Sequence, residues 1–186
     1  MRAITQIHVS QTPASMLPFR FCPGCGAADP ELTGAHQVRC STCGFQYFHN
    51  AAAAATAIIE HQGRVLLVRR ARDPAKGLLD LPGGFVGHDE SLDTALVREL
   101  REELSIKVHP DDLTYLGSHH NRYPYDAVTY FLCDSYFVLR LSTTDGLRAD
   151  DDVSAIEWWD QATLPWEEIS FPTITWALDR FFAAGG

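Results

Sequence analysis

Glu90, Arg98, Glu99, Glu102 and Glu103 carry the most specific chemistry in this chain, within the stretch GFVGHDESLDTALVRELREELSI from Gly84 to Ile106. On a helix advancing about 100° per residue, Glu102 and Glu103 fall roughly 60° and 40° to either side of Glu99, so three carboxylates share one stripe. Leu96, Leu100 and Leu104 form a separate apolar stripe that must face a core. Like charges four residues apart cost a few tenths of a kcal/mol, and acids near a helix C-terminus oppose the macrodipole. A helix built only for stability avoids this pattern. A hard divalent cation such as Mg²⁺, which takes oxygen ligands, offsets it; the alternative is a solvated acidic face.

The full spacing is Gly84, five residues, Glu90, seven residues, then Arg98-Glu99-Leu100-x-Glu102-Glu103-x-Ser105-Ile106. It resembles the Nudix box, G-x5-E-x7-R-E-U-x-E-E-x-G-U with U apolar, at every defined position but Ser105, where the family has glycine. That position ends the helix, where glycine adopts left-handed backbone without steric cost. Serine there implies a strain of about 1 kcal/mol and no loss of charge.

The resemblance implies a hydrolase of nucleoside diphosphates linked to another group, on an α/β fold: a Nudix α/β/α sandwich with a mixed sheet. It implies Glu99 and Glu103 as direct Mg²⁺ (or Mn²⁺) ligands, Glu102 as a third ligand, direct or through water, and the Gly84 carbonyl as a backbone ligand. Glu90 and Arg98 match the pair that holds the loop against the helix and orients the carboxylates. The general base varies within the family. Glu99 is one candidate; Asp152, in the acidic run Asp150-Asp151-Asp152, is another, and a solvated loop is the alternative reading of that run.

Four cysteines form two pairs, Cys22-Pro-Gly-Cys25 and Cys40-Ser-Thr-Cys43, each followed by a glycine that allows a tight turn. Such pairs suit a closed tetrahedral structural Zn²⁺ site; two disulfides are the alternative, disfavoured in a reducing compartment. Cys133 reads as a buried small hydrophobe. Residues 20–48 are therefore expected to form a zinc ribbon, with Phe21, Phe45, Tyr47 and Phe48 packed around the metal knuckles. Residues 1–19 read as an extended tail, and 50–183 as the larger Nudix domain.

Within that domain, strands are expected at 51–59 and 64–69 around a hairpin turn, at 78–81, 112–119, 127–140 and 153–159. Ser91 is the expected N-cap of the box helix. Pro172 opens a terminal amphipathic helix burying Ile174, Ala177, Leu178, Phe181 and Phe182.

Of 186 residues, 46% are hydrophobic and 21% charged, enough apolar material for a core and too little charge for disorder. A formal charge of −9 argues against DNA and membrane-surface binding, which reward basic patches. No apolar run reaches membrane-spanning length and the N-terminus lacks a signal-peptide pattern, so the cytoplasm is the expected location. The expected partner is a small-molecule nucleotide. Arg69, Arg70 or Arg72 could meet its phosphates or serve as salt-bridge partners. Tyr123 and Tyr125 could stack on its base or simply pack.

A ribbon ahead of a Nudix domain is similar to bacterial NADH pyrophosphatases. Their downstream signature S-Q-P-W-P-F-P does not match Ser118-His119-His120-Asn121-Arg122-Tyr123-Pro124-Tyr125, and 186 residues is short for their additional N-terminal domain. The expectation is therefore an ADP-ribose-like substrate, with NADH, NAD-capped RNA or a non-enzymatic Nudix-fold binding role as alternatives. Trp158, Trp159, Trp166 and Trp176 suggest an interface, hence a homodimer, or else closure of the core.

Overall fold

The computed structural model describes residues 19–34, 36–125 and 128–185, which divide into two compact units, one ending at Ala51 and one beginning at Ala52. The expected tail lies outside the described residues, apart from Phe19.

The first unit is a three-stranded antiparallel sheet of β1 (Glu31–Leu32), β2 (Gln37–Arg39) and β3 (Gln46–Phe48). Its buried positions are few: Cys22, Pro30, Val38 and Cys40. Two matching turns, closed by Gly26 N–H to Cys22 O at 2.8 Å and Gly44 N–H to Cys40 O at 2.9 Å, carry the cysteine pairs. Phe21, Tyr47 and Phe48 do not cover them as expected. All three are exposed, and only Phe45 is half-buried, against Gly24. Among the described residues, no second layer covers this short three-stranded sheet to receive them.

The second unit contains β4 (Ala52–His61), β5 (Arg64–Arg70), β6 (Leu79–Asp80), β7 (Gly83–Phe85), α1 (Leu92–Leu104), β8 (Leu113–Tyr125), β9 (Val128–Arg140), β10 (Val153–Trp159) and α2 (Pro172–Ala183). The sheet runs β10-β5-β4-β9-β8, parallel only between β4 and β9. Alternation sends successive side chains to opposite faces. Ile58, Val65, Leu67, Tyr136 and Val138 pack against Ile174, Ala177, Leu178 and Phe181 of α2. Ala57, Ile59, Leu66, Val68, Phe137 and Leu139 pack against Leu96, Leu100 and Leu104 of α1. The result is the expected α/β/α sandwich. Phe182 is half-buried rather than buried, at the margin of the α2 stripe.

Three departures matter. β8 runs further than the expected 112–119, to Tyr125, and pairs along its length with β9, whose span is the expected one to within a residue. Cys133 is exposed, because it points away from the face that buries Leu132 and Asp134. The four tryptophans are all half-buried against the chain's own clusters, Trp159, Trp166 and Trp176 on the α2 side and Trp158 on the α1 side.

β4 and β5 pair only from Ile59–His61 with Arg64–Leu66, then part. β6 takes up the free edge of β5 (Val68↔Asp80) and β7 that of β4 (Ala55↔Gly84). This wedge drives Leu81-Pro82-Gly83-Gly84 into the sheet and opens a cleft there.

Candidate active site

Helix α1 presents the glutamates because of how it is anchored. Ser91 caps it in extended conformation, its N–H donating to Thr94 Oγ1 at 2.9 Å. Its apolar stripe locks onto the sheet, leaving Glu99 and Glu103 at the edge of that contact and Glu102 outside it. Ser105 ends the helix at φ 58, ψ 22, the left-handed cap expected of the box's last glycine position, with its N–H on Arg101 O at 3.1 Å.

The wedge meets these carboxylates at close range. Gly83 sits at φ 140, and a Cβ there would lie 2.2 Å from Ala55 O, so only glycine fits. A Cβ on Gly84 would lie 2.5 Å from Glu99 Oε1. The Gly83 N–H donates to Glu103 Oε2 at 2.8 Å. Glu103 is only 6% exposed, and burial pushes its carboxyl well above the usual range despite that hydrogen bond. The Asp152 and Glu99 charges push the same way. Glu99 is likewise raised by burial, against the pull of Arg98. Asp152 arrives through the loop before β10, where Arg148 N–H and Asp150 N–H bond the carbonyls of Leu104 (3.1 Å) and Glu103 (2.9 Å), free acceptors at the end of α1.

Arg98 is the hub of the box. It clasps Glu90 with two bonds (2.7 and 2.9 Å), Glu99 at 2.8 Å, Glu102 at 3.1 Å and the Phe85 carbonyl at 3.1 Å. Glu90 also accepts from Gly87 N–H at 2.8 Å, and its carboxyl is lowered to about 2, chiefly by Arg98. Two bonds from one planar guanidinium fix orientation as well as charge.

Glu99, Glu103, Gly83, Gly84, Asp151 and Asp152 line a cleft of about 270 Å³. Glu102 does not; its side chain is 41% exposed and turned to Arg98 and Arg101. The three box glutamates are thus not gathered: among the described residues, the group of His, Cys, Asp or Glu ligand atoms lying within 4.8 Å of one another is the four cysteines.

Of the arginines, Arg69 is spent on Glu157 (2.7 Å) and Glu168 (2.9 Å), and Arg72 reaches Asp151 at 3.4 Å on the surface. Arg70 lines the cleft, paired with Asp80 at 2.7 Å and donating to Tyr123 Oη at 3.0 Å. Tyr123 also lines it; Tyr125 stacks on Tyr123 (ring centroids 6.2 Å apart, 16°) and is 52% exposed outside it. Sequence reasoning passed over Gly83, Asp80, Asn121, Asp134, Phe171 and Thr173, which line the same cleft. Asp134 left a signal, an acid inside an otherwise apolar, aromatic run.

In the first unit, Cys22 and Cys43 Sγ lie 3.7 Å apart, as do Cys25 and Cys40. A disulfide needs about 2.05 Å. Four ligands about 2.3 Å from a tetrahedral zinc sit about 3.75 Å from one another. Cys40 is lowered to about 6, chiefly by the Cys43 N–H, while Cys43, despite the Phe45 N–H, is pushed up to about 12 by its sulfur neighbours. Four thiols this close cannot all ionise without a cation. His49 is not among them; it packs beside Tyr47, ring centroids 6.2 Å apart.

Residues 49–177 match the NUDIX domain. The chain belongs to the Nudix family of hydrolases. An ADP-ribose pyrophosphatase of Methanocaldococcus jannaschii is 32% identical over 121 residues, 65% of this chain and 69% of that protein. The NAD-capped RNA hydrolase NudC of Stutzerimonas stutzeri is 28% identical over 112 residues, 60% of this chain and 40% of that protein. The chain spans about half the length of the NudC proteins it matches. Among solved structures, a MutT NUDIX hydrolase from Burkholderia pseudomallei superposes with TM-score 0.60 at 25% identity, over 70% of this chain and 98% of that one. The Nudix box thus sits on the Nudix fold, with Glu99 and Glu103 lining its cleft.

Proposed function

We propose that the Nudix domain, residues 50–183, is a Mg²⁺- or Mn²⁺-dependent pyrophosphohydrolase cleaving a nucleoside diphosphate linked to another moiety, with ADP-ribose-like compounds as the first substrates to test. The observation that carries it is the convergence of Glu99, Glu103 and Asp152 on the Gly83-Gly84 backbone at one end of the cleft. The donor set fits a hard cation: carboxylate oxygens and a backbone carbonyl, with Glu103 buried beside the charges of Asp152 and Glu99. Glu99, Glu103 and the Gly84 carbonyl would hold the ion, with Glu102 joining through water or on release from Arg98. A bound ion supplies neutralisation of the diphosphate charge and a lowered pKa for water.

The protein's own groups do the rest. Arg98 holds Glu90, Glu99 and Glu102 in register, and the Gly83 N–H fixes Glu103. Asp152 and Glu99 stand as candidate bases at the cleft. Arg70 and Tyr123 orient the substrate's far side, and Tyr125 extends the stack. Hydrolysis of ADP-ribose to AMP and ribose 5-phosphate by the purified chain, abolished by EDTA and restored by Mg²⁺, tests this. No hydrolysis of ADP-ribose, NADH, FAD, diadenosine polyphosphates or nucleoside triphosphates would overturn it. The match to NudC proteins supports NADH or NAD-capped RNA as the second substrate class, read out in the same screen.

Residues 20–48 are proposed as a structural zinc ribbon, supported by the sulfur separations. One zinc per chain by metal analysis is the expected result. The reduced cysteines also support a cytoplasmic setting; no helix among the described residues is long and apolar enough to cross a membrane. A homodimer remains part of the proposal, now supported by the exposed Tyr115, Val128 and Tyr130 rather than by the tryptophans. A monomer mass in light scattering would reject it.

A further inference from the structure

The cleft has a second polar end, away from the box glutamates. Its floor is the α2-side face of the sheet: Ala54 and Thr56 on β4, Leu132 and Asp134 on β9, Asn121 and Tyr123 on β8. Asn121 lies opposite Leu132 in the ladder, one diagonal step from Asp134 on the same face. Phe171 and Thr173, at the start of α2, form the wall, and Phe85 and Tyr123 add aromatic rings, 6.0 Å between centroids.

Asp134 is only 6% exposed, and every donor it receives goes to one oxygen. Asn121 Nδ2 reaches Oδ2 at 2.9 Å, with the Thr173 and Tyr136 hydroxyls at 3.4 and 3.5 Å. Oδ1 has no hydrogen-bond partner among the described residues. Asp134 lines the cleft, which places this unfilled acceptor at its wall. Donation of Nδ2 to Asp134 likewise leaves Asn121 Oδ1 as an open acceptor. A buried carboxylate oxygen with no donor is costly unless a ligand or water supplies one. By contrast, both oxygens of the neighbouring Asp80 are satisfied, by Leu81 N–H at 2.8 Å and Arg70 at 2.7 Å.

Small residues on the floor, aromatic rings at the sides and two adjacent acceptors describe a slot for a flat ring carrying N–H donors. At about 270 Å³ the cleft falls just below the usual range for ligand pockets, about 300–1,000 Å³. A cleft of this size suits the nucleotide half of the substrate better than the whole molecule. We propose that Asp134 and Asn121 are the specificity-determining residues of this enzyme, accepting hydrogen bonds from the exocyclic amine or ring N–H of the substrate's nucleobase. The inference rests on the reading of the cleft as a nucleotide pyrophosphohydrolase site.

Binding of AMP, GMP and purine riboside 5′-monophosphate, whose base is adenine without its amine, tests it by calorimetry on the full chain with Mg²⁺ present. AMP or GMP should bind about 10- to 100-fold more tightly than the amine-free analogue, the difference between them identifying adenine or guanine as the preferred base. In Asp134→Asn, which turns an amide toward the base, the preference should collapse toward unity. Equal affinities in the wild-type chain, or a preference untouched by Asp134→Asn, overturn the assignment and leave the hydrolase reading standing. If Asp134→Asn fails to fold, the wild-type comparison decides alone. A preserved amine preference with no hydrolysis of any diphosphate would instead remove the hydrolase reading. Binding of none of the three nucleotides removes both.

Discussion

The two units of this chain solve the problem of a small core in opposite ways. The Nudix unit closes a five-stranded path of sheet between two helices, with separate apolar clusters on each face. Among its described residues the cysteine unit buries four side chains, two of them metal-ligand candidates. A domain of this size cannot offset its chain entropy by apolar burial alone. The contrast carries to chemistry: the four cysteine sulfurs lie within 4.8 Å of one another, while the box glutamates are divided, Glu99 and Glu102 on Arg98 and Glu103 on the Gly83 N–H. A structural site is built closed, and a catalytic site keeps its acids available.

The comparison breaks most sharply at the ribbon. With zinc held by the four cysteines as proposed, chelating it, or replacing Cys40 by Ser, should unfold β1–β3 outright, since structural zinc contributes about 10–16 kcal/mol in small modules. Hydrogen exchange should show lost protection in residues 20–48 and intact protection in β4, β5 and β9. Retained ribbon protection without metal would defeat the contrast.

Glu103→Gln comes next. It keeps the acceptor for the Gly83 N–H and removes a buried charge, so kcat should fall about 10²- to 10³-fold while the denaturation midpoint holds or rises. Wild-type turnover would reject Glu103 as a metal-binding group. Leu100→Ala, at a fully buried position where α1 meets the sheet, should destabilise the Nudix unit by about 2–5 kcal/mol in urea unfolding and leave metal content of the cysteine unit unchanged.

Arg98→Lys retains charge but loses the two-bond grip on Glu90. Activity or metal affinity should drop about 10- to 100-fold, visible as a higher Mg²⁺ requirement. An unchanged Mg²⁺ titration would make Arg98 merely a surface partner. The smallest effect belongs to Ser105→Gly, which relieves the left-handed cap and should raise stability by about 1 kcal/mol, read as a higher Tm, with kcat unaltered. A lower Tm would mean the serine is not strained there.

Local signals were legible because they act over a few residues. The stripe of Leu96, Leu100 and Leu104, the Ser91 cap, the turn at Gln62-Gly63 and Pro172 at the head of α2 all stand where periodicity and capping put them. Phe21, Tyr47 and Phe48 misled because aromatic residues signal burial only where a second layer exists. Cys133 misled because one step along a strand reverses its face, and an apolar run hides which face is covered.

By itself the sequence determined the α1 helix, the carboxylate stripe, the cysteine spacing and the left-handed end of the box, since each depends on residues within a turn or two of one another. Only the tertiary structure decided that Glu99 and Glu103 line the cleft while Glu102 does not, that Arg70 is bound to Asp80, and that Asp134 meets Asn121 with one oxygen free. Those outcomes depend on the parting of β4 and β5 and on the register of β8 against β9, contacts between segments far apart in the chain whose pairing no local propensity encodes.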